Sequence, residues 1–173
     1  MSLSVRRAVL TAWLACGSLD IASAVVITIA SGGRPMRMLQ GIAAAVLGPR
    51  SFDMGIATAI LGLAMHFLVA LTATLVFFAL SRRFPAMVEH PIASGILYGV
   101  FWLLVMYRGV IPLLVALWPL YIANAPKRPL PDIWPLPFFV HIVCVGLPIS
   151  LAISRAPAAN VPDRSGPAVA NQG

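Results

Sequence analysis

Four ionisable residues stand alone inside four long apolar segments of the chain: Asp20, His66, Arg108 and His141. A charge at membrane depth costs several kcal/mol, so such residues usually face a protein interior or a wet cavity. The carboxylate and the guanidinium can pair bidentately, and the two imidazoles can hydrogen-bond into the same network. The sequence therefore predicts a buried polar centre formed by these four residues, with Asp20 and Arg108 as natural partners.

The spacing of these residues within their segments predicts that they lie at similar depths. Asp20 lies ten residues before the end of its segment, and His66 lies eleven residues after the start of its own. Arg108 lies twelve residues before the end of the third segment. At roughly 1.5 Å per residue these three reach the bilayer midplane, whereas His141, five residues into the fourth segment, lies nearer one surface.

The segments that must position these side chains read as helices of an all-α, single-domain membrane protein. Hydrophobic residues make up 60% of the chain and charged residues 10%, and their arrangement in blocks is typical of membrane spans. We expect spans over about 8–30, 55–80, 92–120 and 136–153. Residues 36–47 are too few to cross a bilayer and predict an interfacial or re-entrant helix between spans one and two. The tail, 154–173, is rich in Ala, Pro, Asn and Gly, which predicts disorder.

Small residues recur at helical spacing, and they predict where helices pack closely. In the second segment they form a stripe that includes His66 and would turn it toward protein rather than lipid. A small-xxx-small pair opens the third segment, and another glycine lies in the fourth. The predicted packing residues are Gly55, Ala59, Gly62, Gly95, Gly99 and Gly146.

Metal and haem chemistry has weak support in the sequence. His66 and His141 could act as axial ligands to a haem, and His141 with Cys144, Cys16 and Asp20 could surround a transition metal. The chain has no CxxC, HxxxH or CxxCH motif, so we predict no cofactor and no metal site. GxSxG, HExxH, GxxxxGK[ST] and GxGxxG are also missing from the sequence, and we predict that the protein is not an enzyme.

The net charge of +7 comes from residues scattered at the edges of apolar blocks. A nucleic-acid-binding protein would need a basic stripe on a folded face, so we predict the lipid bilayer, and no nucleic acid, as a partner. With a cytoplasmic N-terminus, six basic residues lie inside (Arg6, Arg7, Arg82, Arg83, Arg155, Arg164) and five lie outside (Arg34, Arg37, Arg50, Lys127, Arg128). Positive charge favours the cytoplasmic side, which predicts that both termini are cytoplasmic.

Several blocks of the chain resemble those of a group of small four-span bacterial inner-membrane proteins that are described only as uncharacterised. The blocks are MLQGIAA at 38–44, LGLAMHF at 61–67, GILYGV at 95–100, VIPL at 110–113 and HIVCVGLPI at 141–149. The resemblance implies a four-span topology and a bacterial inner-membrane location. It implies no activity.

The sequence leaves three functions open. The first is an accessory or structural membrane component, as a homo-oligomer or within a larger membrane complex, whose polar centre fixes helix register. The second is a small permease or proton-linked carrier that uses Asp20, His66, Arg108 and His141, since proton relays use buried Asp and His. The third is a haem or metal-binding membrane protein through His66 and His141.

Overall fold

The computed structural model describes residues 3–110, 113 and 135–155, and every regular element within these ranges is helical. The first part of the chain forms α1 (Leu3–Ala30), α2 (Pro35–Leu47), a 3₁₀ turn (Gly48–Phe52), α3 (Ile56–Arg83) and α4 (Ala86–Glu89). The later part forms α5 (Pro91–Leu104), a π-helical segment (Val105–Val110), α6 (Pro135–Val140), a second π-helical segment (His141–Gly146) and α7 (Leu147–Ser154).

Four helices in the described ranges are long and apolar enough to cross a membrane. They are Leu3–Ala30, Ile56–Arg83, Pro91–Val110 and Pro135–Ser154, which we call spans one to four. Their lengths of 28, 28, 20 and 20 residues match the roughly 20 residues that a bilayer core requires. The predicted all-α bundle of four spans is confirmed, and the chain is a multi-pass membrane protein.

The boundaries of the spans differ in part from the prediction. Span one begins at Leu3 rather than near residue 8, because Arg6 and Arg7 are good helix formers and no Gly or Pro precedes them. Span three is described as far as Val110, and most of its predicted remainder to residue 120 lies outside the described residues. The predicted tail lies outside them as well, apart from Ser154, which ends span four, and Arg155.

The short helix α2 packs on the first turns of span two. A Cβ at Gly62 would overlap the backbone carbonyl of Leu39, so the absence of a side chain lets α2 approach the span two backbone. Gln40 is buried, and its Nε2 donates a 2.9 Å hydrogen bond to the carbonyl oxygen of Gly55. Gln40 of α2 therefore faces protein, while Val46 is exposed.

Spans three and four are held together by glycines at direct backbone contacts. A Cβ at Gly146 would overlap the Gly95 carbonyl oxygen, and one at Gly99 would lie 2.6 Å from the carbonyl oxygen of His141. A Cβ at Gly95 would lie 2.5 Å from Ser150 Oγ. These three glycines thus lie at helix contacts of the kind that small residues predict in membranes.

Gly55 has a position unlike the one its spacing predicted. It precedes span two with φ at 66°, it is exposed, and a Cβ there would meet nothing within 4 Å. The backbone conformation, which is strained for residues with a side chain, accounts for this glycine, and helix packing does not. Ala59, the next residue of the predicted stripe, is buried.

The interior of the bundle lies where spans one to four meet. Tyr98 donates a 2.6 Å hydrogen bond from its hydroxyl to the carbonyl oxygen of Ala73, and its ring lies edge-on to Phe77 at 5.0 Å between centroids. Large apolar side chains such as Leu68 and Leu97 are exposed around the outside. An apolar exterior is expected of a helix bundle whose solvent is lipid.

Candidate functional site

A cavity of about 140 Å³ lies at the centre of the bundle, and all four spans and α2 contribute to it. Its lining residues that carry an ionisable, sulfur-containing or aromatic side chain are Cys16, Asp20, His66, Trp102, Met106 and His141. The other lining residues are aliphatic, and they include Ile42 of α2. We call this space the central cavity.

Asp20 and His66 form the polar core of the central cavity. His66 Nδ1 lies 4.0 Å from Asp20 Oδ2, and the side chains of His66 and Asp20 are 12% and 29% exposed. The other ring nitrogen, Nε2, lies 2.9 Å from the carbonyl oxygen of Gly17. Because a carbonyl oxygen only accepts hydrogen bonds, Nε2 carries a hydrogen and donates it.

This geometry turns the titratable ring nitrogen of His66 toward Asp20. With Nε2 already protonated, Nδ1 is the ring nitrogen that gains or loses a proton, and it faces the carboxylate of Asp20. A proton shared by the two groups gives a neutral pair, either imidazolium with carboxylate or imidazole with carboxylic acid. Loss of that proton leaves a net charge of −1 beside the cavity.

The contact between spans one and two holds the pair in position. His66 donates to the backbone of span one, and in return Trp13 donates a 2.7 Å hydrogen bond from Nε1 to the carbonyl oxygen of Phe67. Gly17 makes this contact possible, since a Cβ there would lie 2.6 Å from the Phe67 ring. Trp13 and Phe67 also meet edge-to-face, with their ring centroids 6.2 Å apart.

His141 approaches the central cavity from span four with the opposite nitrogen engaged. Its Nδ1 lies 3.0 Å from the carbonyl oxygen of Pro137, so Nδ1 donates and Nε2 is left as the basic nitrogen. His141 is the first residue of a π-helical segment, and such segments occur frequently at functional sites. The contact with Gly99 places its backbone against span three.

Arg108 does not join the other three predicted residues. It is exposed and does not line the central cavity, and no Asp20–Arg108 ion pair forms within residues 3–110, 113 and 135–155. The predicted pairing was therefore wrong. Met106, two positions earlier, lines the cavity, and side chains two positions apart on a helix do not share a face. The partner of Asp20 is His66.

Three residues of the site were not predicted from the sequence: Trp102 and Met106 on span three, which line the cavity, and Gly17 on span one, which makes a close contact. A signal for the first two was present. They follow Gly95 and Gly99 at intervals of four, three and four residues, which is the spacing of one helical face. Gly17 lies four residues after Trp13, but nothing in the sequence links either residue to span two.

The positions of the described side chains can be compared with what a metal or haem site requires. In the part of the chain that the structure describes, no group of three or more His, Cys, Asp and Glu side chains could hold a metal ion. Axial ligation of a haem by His66 through Nε2 would require breaking its hydrogen bond to Gly17. His141 has Nε2 available, but a two-histidine haem site needs both ligands.

No protein-family model, curated protein or solved structure matches the chain. The resemblance to uncharacterised four-span proteins therefore stays a prediction, and a functional proposal depends on the site itself.

Proposed function

We propose that the protein is a small proton-linked carrier in which the Asp20–His66 pair binds and releases the proton. The observation that carries this proposal is the arrangement of His66, with Nε2 hydrogen-bonded to Gly17 and Nδ1 turned to Asp20 beside a cavity. A polar group that served only to fix helix register would be best satisfied by direct bonds at every atom. Here one nitrogen is satisfied and the other faces a carboxylate across 4.0 Å.

Proton transfer within the pair requires no distant movement. A proton that enters the central cavity adds to the pair, which changes from a charge of −1 to a charge of zero. The 4.0 Å between Nδ1 and Oδ2 exceeds a direct hydrogen bond, and one water molecule or a small side-chain rotation can close it. An imidazole can accept a proton on a ring nitrogen and give it up again, which suits a group that must both load and release a proton.

The central cavity has room for the water that such a step needs. A volume of about 140 Å³ equals roughly five water molecules at ~30 Å³ each. Asp20 is the more exposed member of the pair, with 29% of its side chain exposed against 12% for His66. Asp20 and His66 each lie ten residues from the neighbouring ends of spans one and two, Ala30 and Ile56, or about 15 Å from one membrane surface.

The membrane we propose is a bacterial inner membrane, with both termini in the cytoplasm. By the order of the four spans, six basic residues of the sequence lie on the same side of the membrane as the N-terminus, and five lie on the opposite side. The larger number supports a cytoplasmic N-terminus by the distribution of positive charge.

Proton movement into sealed vesicles tests the proposal. The purified chain is reconstituted with a pH-sensitive dye inside the vesicles, and a pH step is applied together with a library of small solutes. We expect dye acidification that depends on a solute and disappears in Asp20→Asn. The matched control is Asp53→Asn, because Asp53 is an exposed carboxylate outside the spans.

Flux that Asp20→Asn leaves unchanged would remove the pair from the mechanism, and so would an equal loss in Asp53→Asn. A folding check by gel filtration and circular dichroism accompanies each variant. His66→Gln serves as an independent second variant, since glutamine can still donate to Gly17 but cannot carry the proton.

An accessory component of a homo-oligomer or larger membrane complex is the second candidate function. The observation that favours it is Arg108, an exposed cation on span three that makes no ion pair within the described residues. An intramembrane arginine usually pairs with another group, and a carboxylate on a partner protein or a second copy would supply one. Arg108→Gln should then lower the native mass measured in mild detergent, whereas Arg155→Gln at the end of span four should not.

A further inference from the structure

We infer that the solute of the central cavity is a small organic cation, such as a primary or quaternary ammonium ion, which exchanges with the proton on Asp20 and His66. This inference rests on the proposed carrier function and names its substrate class. It depends on three features of the cavity: the sign of its charge, the aromatic ring in its wall and its volume.

The charge of the central cavity selects the sign of the solute. In the described part of the chain, the carboxylate of Asp20 is the one carboxylate that lines the cavity, and the basic lining groups, His66 and His141, are imidazoles that can be neutral. Among the described residues no Lys or Arg lines it, and Arg108 is exposed. A deprotonated pair therefore makes the cavity anionic. An anionic solute would meet the carboxylate directly, and the attraction or repulsion of unit charges is strong away from bulk water.

Trp102 supplies a second feature that suits a cation. Trp102 is among the residues that line the cavity, and it is 9% exposed. Tyr98 stacks beside the Trp102 ring, at 6.2 Å between centroids and 24° between planes, which fixes its orientation. Tryptophan is the aromatic side chain that attracts cations best, and the attraction is larger where water is excluded.

The volume of the central cavity sets the size of the solute. An engineered protein cavity of about 150 Å³ holds benzene, and this cavity has about 140 Å³. A solute of at most about six non-hydrogen atoms therefore fits. Aliphatic side chains such as Ile42, Val69 and Val145 form the rest of the wall and would contact methyl or methylene groups of the solute.

Titratable groups from several helices face Asp20. His66 lies at 4.0 Å on span two, and Cys16 lies one turn earlier on span one, within electrostatic range. Span four presents His141 to the cavity and Cys144 within range of the carboxylate, and span three presents Tyr98, which lies near Cys16. Of α2, the cavity meets Ile42, which does not titrate. Among these groups, Asp20 and His66 form the pair whose side-chain atoms lie 4.0 Å apart and can share a single proton.

Cation binding and proton release then balance. The neutral pair holds one proton, and an ammonium ion that binds to the carboxylate removes the counter-charge that kept this proton on the pair. The proton leaves, His66 becomes neutral imidazole, and the cavity with its bound cation returns to a net charge of zero. One cation therefore enters for each proton that leaves, and low pH opposes binding.

Calorimetry on the purified full-length chain in mild detergent tests this exchange. Methylammonium and tetramethylammonium are the probes, acetamide is the neutral control, and acetate is the anionic control. Titrations in two buffers of different ionisation enthalpy give the number of protons released per bound cation. When the Asp20–His66 pair starts with its proton bound, we expect both cations to bind and about one proton to be released for each cation. Below the pH range in which the pair takes up this proton, binding should weaken about tenfold for each unit of pH, as one-for-one competition requires. Neither acetamide nor acetate should bind.

Variants locate the site. Asp20→Asn should abolish both binding and proton release, whereas Asp53→Asn should retain both. Trp102→Phe keeps a ring in the wall, and Trp102→Leu should bind the cations about tenfold more weakly than Trp102→Phe, the difference that a desolvated cation–π contact makes. The wild-type pH dependence and proton count keep the test decisive even where a variant fails to fold.

Binding of acetate in place of the cations, or cation binding without proton release, would overturn the inference. If no cation binds but the vesicle assay still shows proton flux that needs Asp20, the substrate class is wrong and the proposed function stands. If the vesicle assay also fails, the proposed function itself is wrong.

Discussion

The two halves of the bundle are joined by different means. Spans three and four meet through glycine, with the backbone at Gly146 against Gly95 and the backbone at Gly99 against His141. Spans one and two meet through side chains that bond to the backbone of the opposite helix, Trp13 to Phe67 and His66 to Gly17. The first contact leaves no room for a side chain between the two backbones, whereas the second contains a 4.0 Å gap between two titratable groups. The comparison suggests a rigid half that supports the cavity and an adjustable half that carries its chemistry.

Gly146→Ala should produce the largest loss of stability. The new Cβ would overlap the Gly95 carbonyl, and a backbone atom cannot move aside as the end of a flexible side chain can. We expect a loss of about 3 kcal/mol, at the upper end of the usual cost of overpacking, measured by denaturant or thermal unfolding in detergent.

The matched control for that change is Gly109→Ala on span three, where a Cβ would meet nothing within 4 Å. It should leave stability unchanged or raise it slightly, because alanine favours a helix. Equal effects of the two alanines would show that helix propensity, rather than the backbone contact, explains the glycines.

Trp13→Phe should have an intermediate effect. It keeps an aromatic ring beside Phe67 but removes the N–H that donates at 2.7 Å. The expected loss is about 1 kcal/mol, the usual net worth of one hydrogen bond. Ser150→Ala is the corresponding change in the other half, where the hydroxyl donates to the Pro91 carbonyl at 2.8 Å. A loss for Trp13→Phe as large as that for Gly146→Ala would contradict the division into a rigid and an adjustable half.

His66→Gln should have the smallest effect on stability and a complete effect on proton transfer. Glutamine can still donate to the Gly17 carbonyl, so the unfolding free energy should change by less than about 1 kcal/mol. Solute-dependent acidification of vesicles should disappear, because the glutamine amide, unlike the imidazole of His66, does not take up a proton. A variant that is both unstable and inactive would instead support a purely structural role for His66.

The sequence was sufficient to predict the fold because hydrophobic blocks of the right length determine a membrane topology. It also predicted close packing at Gly62, Gly95, Gly99 and Gly146, although the neighbour of Gly62 is α2 rather than another span. Of the four polar residues that the sequence grouped together, Asp20, His66 and His141 line the cavity. The depth count alone had placed Arg108, rather than His141, level with the other two.

The rotation of a helix about its own axis is harder to predict from the sequence. Arg108 lies at a suitable depth but on the wrong face, and the opposite charges of Asp20 and Arg108 suggested a pair that the structure replaces with Asp20 and His66. The hydrogen bond from His66 to Gly17 could not be predicted either, because any backbone carbonyl can accept and the choice depends on how two helices cross. The rotation of one helix relative to its neighbour depends on tertiary contacts. The apolar pattern of a lipid-facing helix specifies this rotation weakly, because lipid and the protein interior are both apolar.

Nitrogen NMR of the histidine side chains tests the central claim most directly. The chain is labelled with ¹⁵N-histidine, and the variants His90→Gln and His141→Gln assign the His66 signals. We predict that the neutral His66 ring carries its hydrogen on Nε2, and that a second proton added on acidification goes to Nδ1. Asp20→Asn should suppress this second protonation, because the imidazolium then lacks its counter-charge. A neutral ring with hydrogen on Nδ1, or a second protonation that Asp20→Asn leaves unchanged, would contradict the account.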